Sequence, residues 1–456
     1  MHPLPLLVAG CFFMEFLDGT IIAPALPQMA LSLGTTAVDL HVGISAYLLT
    51  VAVMILPGGW AAERFGARPV FASAIALFTT ASALCALAGS PHSFVAARVL
   101  QGVGGAMMVP VGRLVVLRGT EKAGLMRAIA LLTWPGLTAP LIGPPLGGFI
   151  AEAANWRYIF LVNLPLGAAA FGLALWLTPR TQPGPARRFD WRGFWLAGTA
   201  CLCAEAAMDL LGREHPRLGA AAMLVLVGAA SGLAAARHLL RSATPLIDPA
   251  PWRVPTFRMV MGVGTAMRGL ISTLPFLLPL LFQMGFGYDP FHAGALVLAL
   301  FLGNIGMKPA TSFVLRRIGF RNVLAGNAAL QAATMLGLAT IGVQTPLAAI
   351  LLLLAVTGAS RSMQFTALAT LAFSDVPQPQ MAPANTWFSV AFQLGNGIGV
   401  GVGALMLQLA AGTLAGPNLP AFHAVFAGLS VLMLGLAGAA LTLDRQAGAA
   451  VSGYRR

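Results

Sequence analysis

Residues 56–77, LPGGWAAERFGARPVFASAIAL, place a compact charged turn, Glu63, Arg64, Gly66 and Arg68, between two long apolar runs. Each run is about 20 residues, the length at which a helix rising about 1.5 Å per residue crosses a hydrocarbon core roughly 30 Å thick. Outward from this turn the pattern repeats to about fourteen apolar segments. They lie near Leu4–Ala25, His41–Ala62, Val70–Ala88, Phe94–Gly112, Ala128–Ala151, Trp156–Leu177 and Gly193–Leu211, then Leu218–Ala236, Met259–Met284, Phe291–Met307, Val323–Gly342, Leu347–Gln364, Asn385–Ala411 and Ala421–Leu443. The seventh and eighth carry Glu205, Asp209 and many alanines, which leaves twelve spans as the alternative. The expected fold is therefore an all-α polytopic membrane protein.

Composition agrees. Apolar residues make up 58% of the chain and charged residues 9%, with a mean hydropathy of +0.82, which excludes an ordinary soluble domain and a disordered chain. The first span is too long, and its flank too poor in Lys and Arg, for a cleaved signal peptide. Of the 27 Lys and Arg residues, about 22 fall in or beside alternate gaps, which the positive-inside rule assigns to the cytoplasm: Arg64 to Arg68, Arg113 to Arg127, Arg180 to Arg192, Arg237 to Arg258, Lys308 to Arg321, Arg361, and the tail from Arg445. The other gaps carry few, chiefly Arg157, Arg213 and Arg217. Both termini are expected in the cytoplasm. The net charge of +13 is dispersed over short loops, so it marks topology rather than nucleic-acid binding. Cys11, Cys85, Cys201 and Cys203 lie inside spans without metal or disulfide spacing and read as small packing residues.

The turn recurs. Arg64-Phe65-Gly66-Ala67-Arg68 and Arg317-Ile318-Gly319-Phe320-Arg321 are both R-x-G-x-R, each between the second and third helices of a six-helix set. Glycines crowd the fifth helix of both sets, Gly136 to Gly148 and Gly395 to Gly403. Two related halves follow, as in many secondary transporters, with a pair of helices inserted between them. The expected organisation is a six-helix bundle over 1–178, a linker with two inserted helices and an interfacial stretch over 179–255, a second six-helix bundle over 256–443, and a tail over 444–456.

These residues carry a family resemblance. Gly59, Ala62, Glu63, Arg64, Gly66 and Arg68 resemble the G-x-L-A-D-R-x-G-R-K loop of the major facilitator superfamily, with Glu63 for the usual Asp and Ala67 at a usually basic position. Arg98, Gln101, Gly102 and Gly104 are similar to its fourth-helix R-x-x-Q-G-x-G motif, and Gly143, Pro144, Gly147 and Gly148 to the G-P-x-x-G-G fifth-helix motif associated with antiporters, with Ala139 replacing an expected glycine. Leu17, Asp18, Thr20 and Ala25 to Pro27 resemble the L-D-x-T…A-L-P motif of the fourteen-spanner drug:proton antiporter branch, as do Trp156, Arg157, Phe160, Asn163, Pro165, Gly167, Phe189 to Gly193 and Pro245 to Asp248. The resemblance implies proton-driven export of amphipathic small molecules by alternating access, in the inner membrane of a bacterium, by a chain that works as a monomer and takes its energy from a proton gradient without a cofactor.

Motif chemistry points to particular residues. Glu63, Arg64 and Arg68, with Arg317, Gly319 and Arg321 in the second half, can latch neighbouring helix ends during rocking, with topology as the plainer role of the arginines. Proton coupling needs an intramembrane ionisable group. Glu15 and Asp18 are i, i+3 on one face of the first helix, Glu15 near mid-membrane and Asp18 nearer the outside. Arg98 enters the fourth span from the outside; pairing would keep Asp18 ionised, whereas an unpaired Glu15 favours its neutral form. Glu15 is thus the expected proton carrier and Asp18 the structural partner of Arg98, the alternative being that Asp18 itself releases the proton. Arg268, near the middle of the ninth span, is expected at the central cavity in a salt bridge or against an anionic substrate. Gln101, Gln364, Gln393 and Phe388 are further cavity candidates, with Asn385 beside them; interhelical hydrogen bonds explain the amides equally well. Glu205 and Asp209, outside the two halves, are expected to bond across to the eighth helix or face a hydrated edge, with a coupling role as the alternative.

Competing readings are a dedicated transporter of a metabolite or organic anion, in either direction, and, from another class, a membrane enzyme or non-transporting sensor. The enzyme reading is weak: His2, His41, His92, His215, His238, His292 and His423 are scattered without ligand spacing, and no G-x-x-x-x-G-K-[ST] loop occurs. No metal site is expected.

Overall fold

A computed structural model describes residues 3–35, 37–180, 188–211, 217–413 and 418–454. Residues 181–187 of the expected linker and the loop holding Arg213, Glu214 and His215 lie outside the described residues.

In hydrocarbon every backbone N–H and C=O must be satisfied within its own segment, and helices achieve this. Helices occupy all the expected positions: α1 (Pro3–Ile21), α2 (Ala37–Met54 continued by Leu56–Phe65), α3 (Ala67–Leu87), α4 (Pro91–Arg118), α5 (Lys122–Thr133 continued by Pro135–Ala153), α6 (Tyr158–Leu177), α7 (Trp191–Leu211) and α8 (Leu218–Arg241). They continue with α9 (Pro255–Gly285), α10 (Pro290–Gly306 continued by Lys308–Ile318), α11 (Phe320–Leu338), α12 (Leu347–Ser374), α13 (Met381–Thr413) and α14 (Leu419–Ala440). Among the described residues, 10 helices are long and apolar enough to span a membrane, α7 and α8 among them, and 12 are if each bent pair is one span. The helices α5 and α11 fill the two remaining positions.

The two halves bend and turn alike. The helix α2 bends by 53° between its segments and α10 by 51°, each with a proline, Pro57 or Pro309, in the first turn past the break, where a missing N–H and a bulky ring interrupt the hydrogen-bond ladder. The central glycines of the two R-x-G-x-R turns take the same backbone conformation, Gly66 at φ 88° and Gly319 at φ 81°, a region that favours glycine. Helix pairings repeat as well. In the first half α1 packs on α5, α3 on α4, α2 on α4 and α3 on α6; in the second α9 packs on α13, α11 on α12, α10 on α12 and α11 on α14. This is a pair of pseudo-symmetric six-helix bundles.

Small residues set the closest approaches, as they do where helices pack in lipid. A Cβ at Gly143 would run into the Thr20 side chain and one at Gly147 into the Ile21 carbonyl, so α5 lies directly on α1; Gly399 on α13 similarly abuts the Gly269 carbonyl of α9. Gly148 and Pro144 of the same motif face more open surroundings.

The inserted helix α7 wedges between the bundles, packing on α2 and α13, while α8 packs chiefly on α7. The contacts described for its acids run to the bundles. Asp209 accepts from Ser45 Oγ on α2 at 2.8 Å, and Glu205 bonds Gln393 on α13 and lies against Gly397. Asp190 fastens the pair at its start, accepting from Gly193 N, Leu246 N and the His238 ring at 2.8 to 3.1 Å.

Ala substitution separates contact from flexibility. Gly147→Ala, which meets unyielding backbone, should cost about 1–3 kcal/mol, while Gly148→Ala should be close to neutral; thermal unfolding midpoints of the two purified variants test the contrast, and equal midpoints would contradict it.

Candidate functional site

Helix α1 brings both of its carboxylates to the α4 side, with different fates. Asp18 is fully enclosed: Arg98 Nη1 donates to its Oδ2 at 2.6 Å, and Gln101 Nε2 and Asn163 Nδ2 each donate to its Oδ1 at 2.9 Å. Gln101 also accepts from Arg98 at 2.6 Å and donates to Ser82 Oγ at 2.8 Å, and the guanidinium stacks over the Tyr47 ring at 4.3 Å. Multiple charge-assisted bonds compensate the burial of both charges. Glu15 sits one turn away beside Tyr47 and Gly105, and its buried Oε2 has no hydrogen-bond partner, nor does the Tyr47 hydroxyl.

Between the bundles lies a cavity of about 280 Å³ whose wall contains Arg113, Arg268, Lys308 and Arg361, with Phe12, Phe365, Phe373, Phe388 and Phe392. Among the described residues no acid lines it. Three of the cations alternate with rings across the wall. Arg113 of α4 lies 5.1 Å from the Phe388 centroid and 6.0 Å from that of Phe392. Arg268 of α9 stacks at 3.4 Å on Phe392 and 4.2 Å on Phe365, and Arg361 of α12 lies 5.4 Å from Phe365. Ring faces attract the guanidinium planes and leave the in-plane N–H groups open: Arg268 Nε and Arg361 Nε and Nη1 have no hydrogen-bond partner. Arg113 Nη1 donates to Ser389 Oγ at 3.2 Å. Lys308 Nζ donates to Thr133 Oγ1 at 2.6 Å and Thr366 Oγ1 at 2.8 Å. Among the described residues none of the four has a carboxylate in ion-pair contact.

Several sequence expectations move. Arg113, Lys308 and Arg361, assigned to basic gaps or a span end, are cavity residues. The helices α4 and α12 are each 28 residues long, so a 20-residue ruler ended the fourth span short of Arg113 and left Arg361 near the edge of the twelfth. Lys308 opens the second segment of bent α10 rather than a loop. Helix length past the ruler, and Pro309 beside Lys308, were the available signals. Arg268 and Phe388 do line the cavity, and Arg268 stacks on rings instead of forming a salt bridge. Gln101, Gln364 and Gln393 do not. Gln101 belongs to the Asp18 network, Gln364 accepts from Asn327 Nδ2 at 2.7 Å, and Gln393 holds Glu205; helix-to-helix bonds claim all three amides.

At the end carrying the arginine-rich turns, the bundles meet. A Cβ on Gly59 of α2 would collide with Thr386 of α13, Asn385 donates to the Pro110 carbonyl at 2.8 Å, and the terminal turn Ala449–Ser452 packs on both α5 and α10. Arg68 donates to the Leu175 carbonyl, Arg64 and Arg317 lie beside Phe65 and Phe313, Tyr454 covers Gly319, and Arg321 Nε has no hydrogen-bond partner.

A family description of the Major Facilitator Superfamily matches residues 8–400. The chain belongs to the major facilitator superfamily. Curated relatives bear the provisional name multidrug resistance protein MdtD. That of Cronobacter sakazakii is 39% identical over 409 residues, covering 88% of this chain and 85% of the relative; that of Salmonella typhimurium is 38% identical over 427 residues, covering 92% and 89%. Among solved structures, the human organic anion transporter MFSD10 superposes with a TM-score of 0.68 at 17% identity, covering 95% of this chain and 98% of the other. The proton:xylose symporter XylE does so with 0.65 at 15% identity, covering 98% and 96%. These two establish the shared fold. The chain is thus a multi-pass membrane protein of a transporter superfamily.

Arg98→Ala should lower stability by about 3–5 kcal/mol by stranding Asp18 in the core. A double-mutant cycle with Asp18→Ala should give a combined loss well below the sum of the single losses, read from unfolding midpoints in detergent; additive losses would show that the pair is not coupled.

Proposed function

We propose that this major facilitator protein exports amphipathic small molecules through the cavity between its bundles by alternating access, with protons moving inward on Glu15. The observation that carries this reading is the aromatic-lined cavity between the two halves, which are joined at the arginine-rich end. Binding at the repeat interface is how rocking of one bundle against the other exchanges access around a fixed site. The multidrug name borne by its curated relatives supports a cargo recognised by shape and apolar surface. By the positive-inside rule the joined end faces the cytoplasm, with both termini there and the membrane that of a bacterial cell interior. The protein works as a monomer and needs no cofactor beyond the proton gradient.

The assignment of Glu15 rests on the contrast with Asp18. Asp18 is held by three donors, and a proton arriving there would have to break a buried ion pair. Glu15 has an oxygen without a partner and lies between the cavity residues Phe12 and Phe16 on α1, so it can exchange a proton without dismantling the helix contacts. The turns around Glu63, Arg64, Arg68, Arg317 and Arg321 act as the latch that rocking releases.

Glu15→Gln should abolish proton-driven uptake into inverted membrane vesicles while cargo binding to the purified protein persists. Undiminished uptake by the variant would remove Glu15 from the mechanism and return the role to Asp18.

A further inference from the structure

We infer that the cavity selects anionic cargo, an aromatic or otherwise flat apolar body bearing two acidic groups, and discriminates against the cationic amphiphiles that a multidrug exporter is usually expected to take. The inference rests on reading this cavity as the cargo site.

Positive charge outweighs negative around this cavity, where Glu15 is the acid that interacts with Arg113. Four cationic side chains share one chamber and, among the described residues, no acid lines it, although a lone charge at membrane depth is costly and is ordinarily paired. Arg268 is more than nine-tenths buried, at 8% exposure. Ring stacking stabilises its guanidinium without cancelling the charge, and its Nε is a buried donor without a partner. A guanidinium lining a cavity can present the planar fork that matches a carboxylate, phosphate or sulfonate oxygen pair.

The spacing of the donors argues for more than one acidic group. The cations come from both bundles, Arg113 from α4 and Arg268, Lys308 and Arg361 from α9, α10 and α12, and phenyl rings separate the three guanidinium groups. A single carboxylate on one fork leaves the others unpaired. Two acidic groups on a flat body reach separate cations, and the body lies among the phenyl rings. A cationic dye meets the same rings with four like charges lining the chamber.

The test uses purified protein in phosphatidylcholine nanodiscs and isothermal titration with three probes: naphthalene-2,6-dicarboxylate, its neutral dimethyl ester, and ethidium. The dicarboxylate should bind at least about 10-fold more tightly than the ester, the range expected of charge-assisted hydrogen bonds, and ethidium should bind most weakly. Arg268→Gln and, separately, Arg361→Gln should each weaken dicarboxylate binding about 10-fold or more with little change for the ester. Equal binding of diacid and ester, tighter binding of ethidium, or dicarboxylate binding indifferent to both substitutions would overturn the inference. The wild-type ranking stands as a test even if one variant fails to fold. A parallel flux assay in proton-energised vesicles separates the two claims. Dicarboxylate binding without flux refutes export and keeps the charge class, while ethidium flux without dicarboxylate binding keeps export and refutes the charge class.

Discussion

A polar group inside a hydrocarbon slab must find its partner within the protein, because no water stands ready to satisfy it. That constraint shapes the backbone into helices and sorts the charged side chains into two kinds. Asp18 and Arg98 meet it together, each supplying the other's counter-charge, with Gln101, Asn163 and Ser82 taking up further hydrogen-bonding capacity. Arg113, Arg268, Lys308 and Arg361 meet it only in part, through hydroxyls and ring faces. The cluster beside α1 has its charges paired, although Arg98 Nε and Nη2 lack hydrogen-bond partners; the cluster facing the chamber has no counter-charge in ion-pair contact among the described residues and is a place for something to bind.

Pseudo-symmetry explains how such a chamber arises. Matching bends in α2 and α10, matching glycine conformations at Gly66 and Gly319, and glycine-mediated contacts of α5 on α1 and α13 on α9 build two bundles of the same plan. The chemistry is not duplicated. The first bundle supplies Glu15, the sealed Asp18 network and one cavity cation, and the second supplies three cavity cations. The inserted helix α7 touches both bundles, and its two acids hold opposite sides, Asp209 on α2 and Glu205 on α13, so any rocking of the halves works against this wedge.

Much of the architecture is legible in the sequence because hydrophobic length and loop charge are one-dimensional signals. All the helix positions, the bundle repeat and the inserted pair can be read this way. The Asp18 and Arg98 juxtaposition is suggested by depth, since the C-terminal end of α1 and the N-terminal end of α4 lie on the same side of the bundle. The cavity is less legible. Arg113, Lys308 and Arg361 sit where a straight helix of minimum length would end, and only the extra length of α4 and α12 and the break before Lys308 bring them inward. The amides Gln101, Gln364 and Gln393 mislead in the opposite sense, because composition shows that a group is polar but not which neighbour has already taken its hydrogen bonds.

For the proposed anionic cargo, the four cavity cations tie the transport step to voltage. Each elementary charge moved through a potential of 100 mV is worth about 2.3 kcal/mol. With a doubly charged anion aboard, the chamber is partly neutralised; without it, the full positive charge remains in the barrel. In a cell whose interior is negative, an outgoing anion travels down the electrical gradient, whereas a cation leaving by the same route would have to be driven against it. The sign of the chamber therefore bears on the source of energy for transport as well as on recognition, since the electrical gradient alone can favour the outward step for such a cargo.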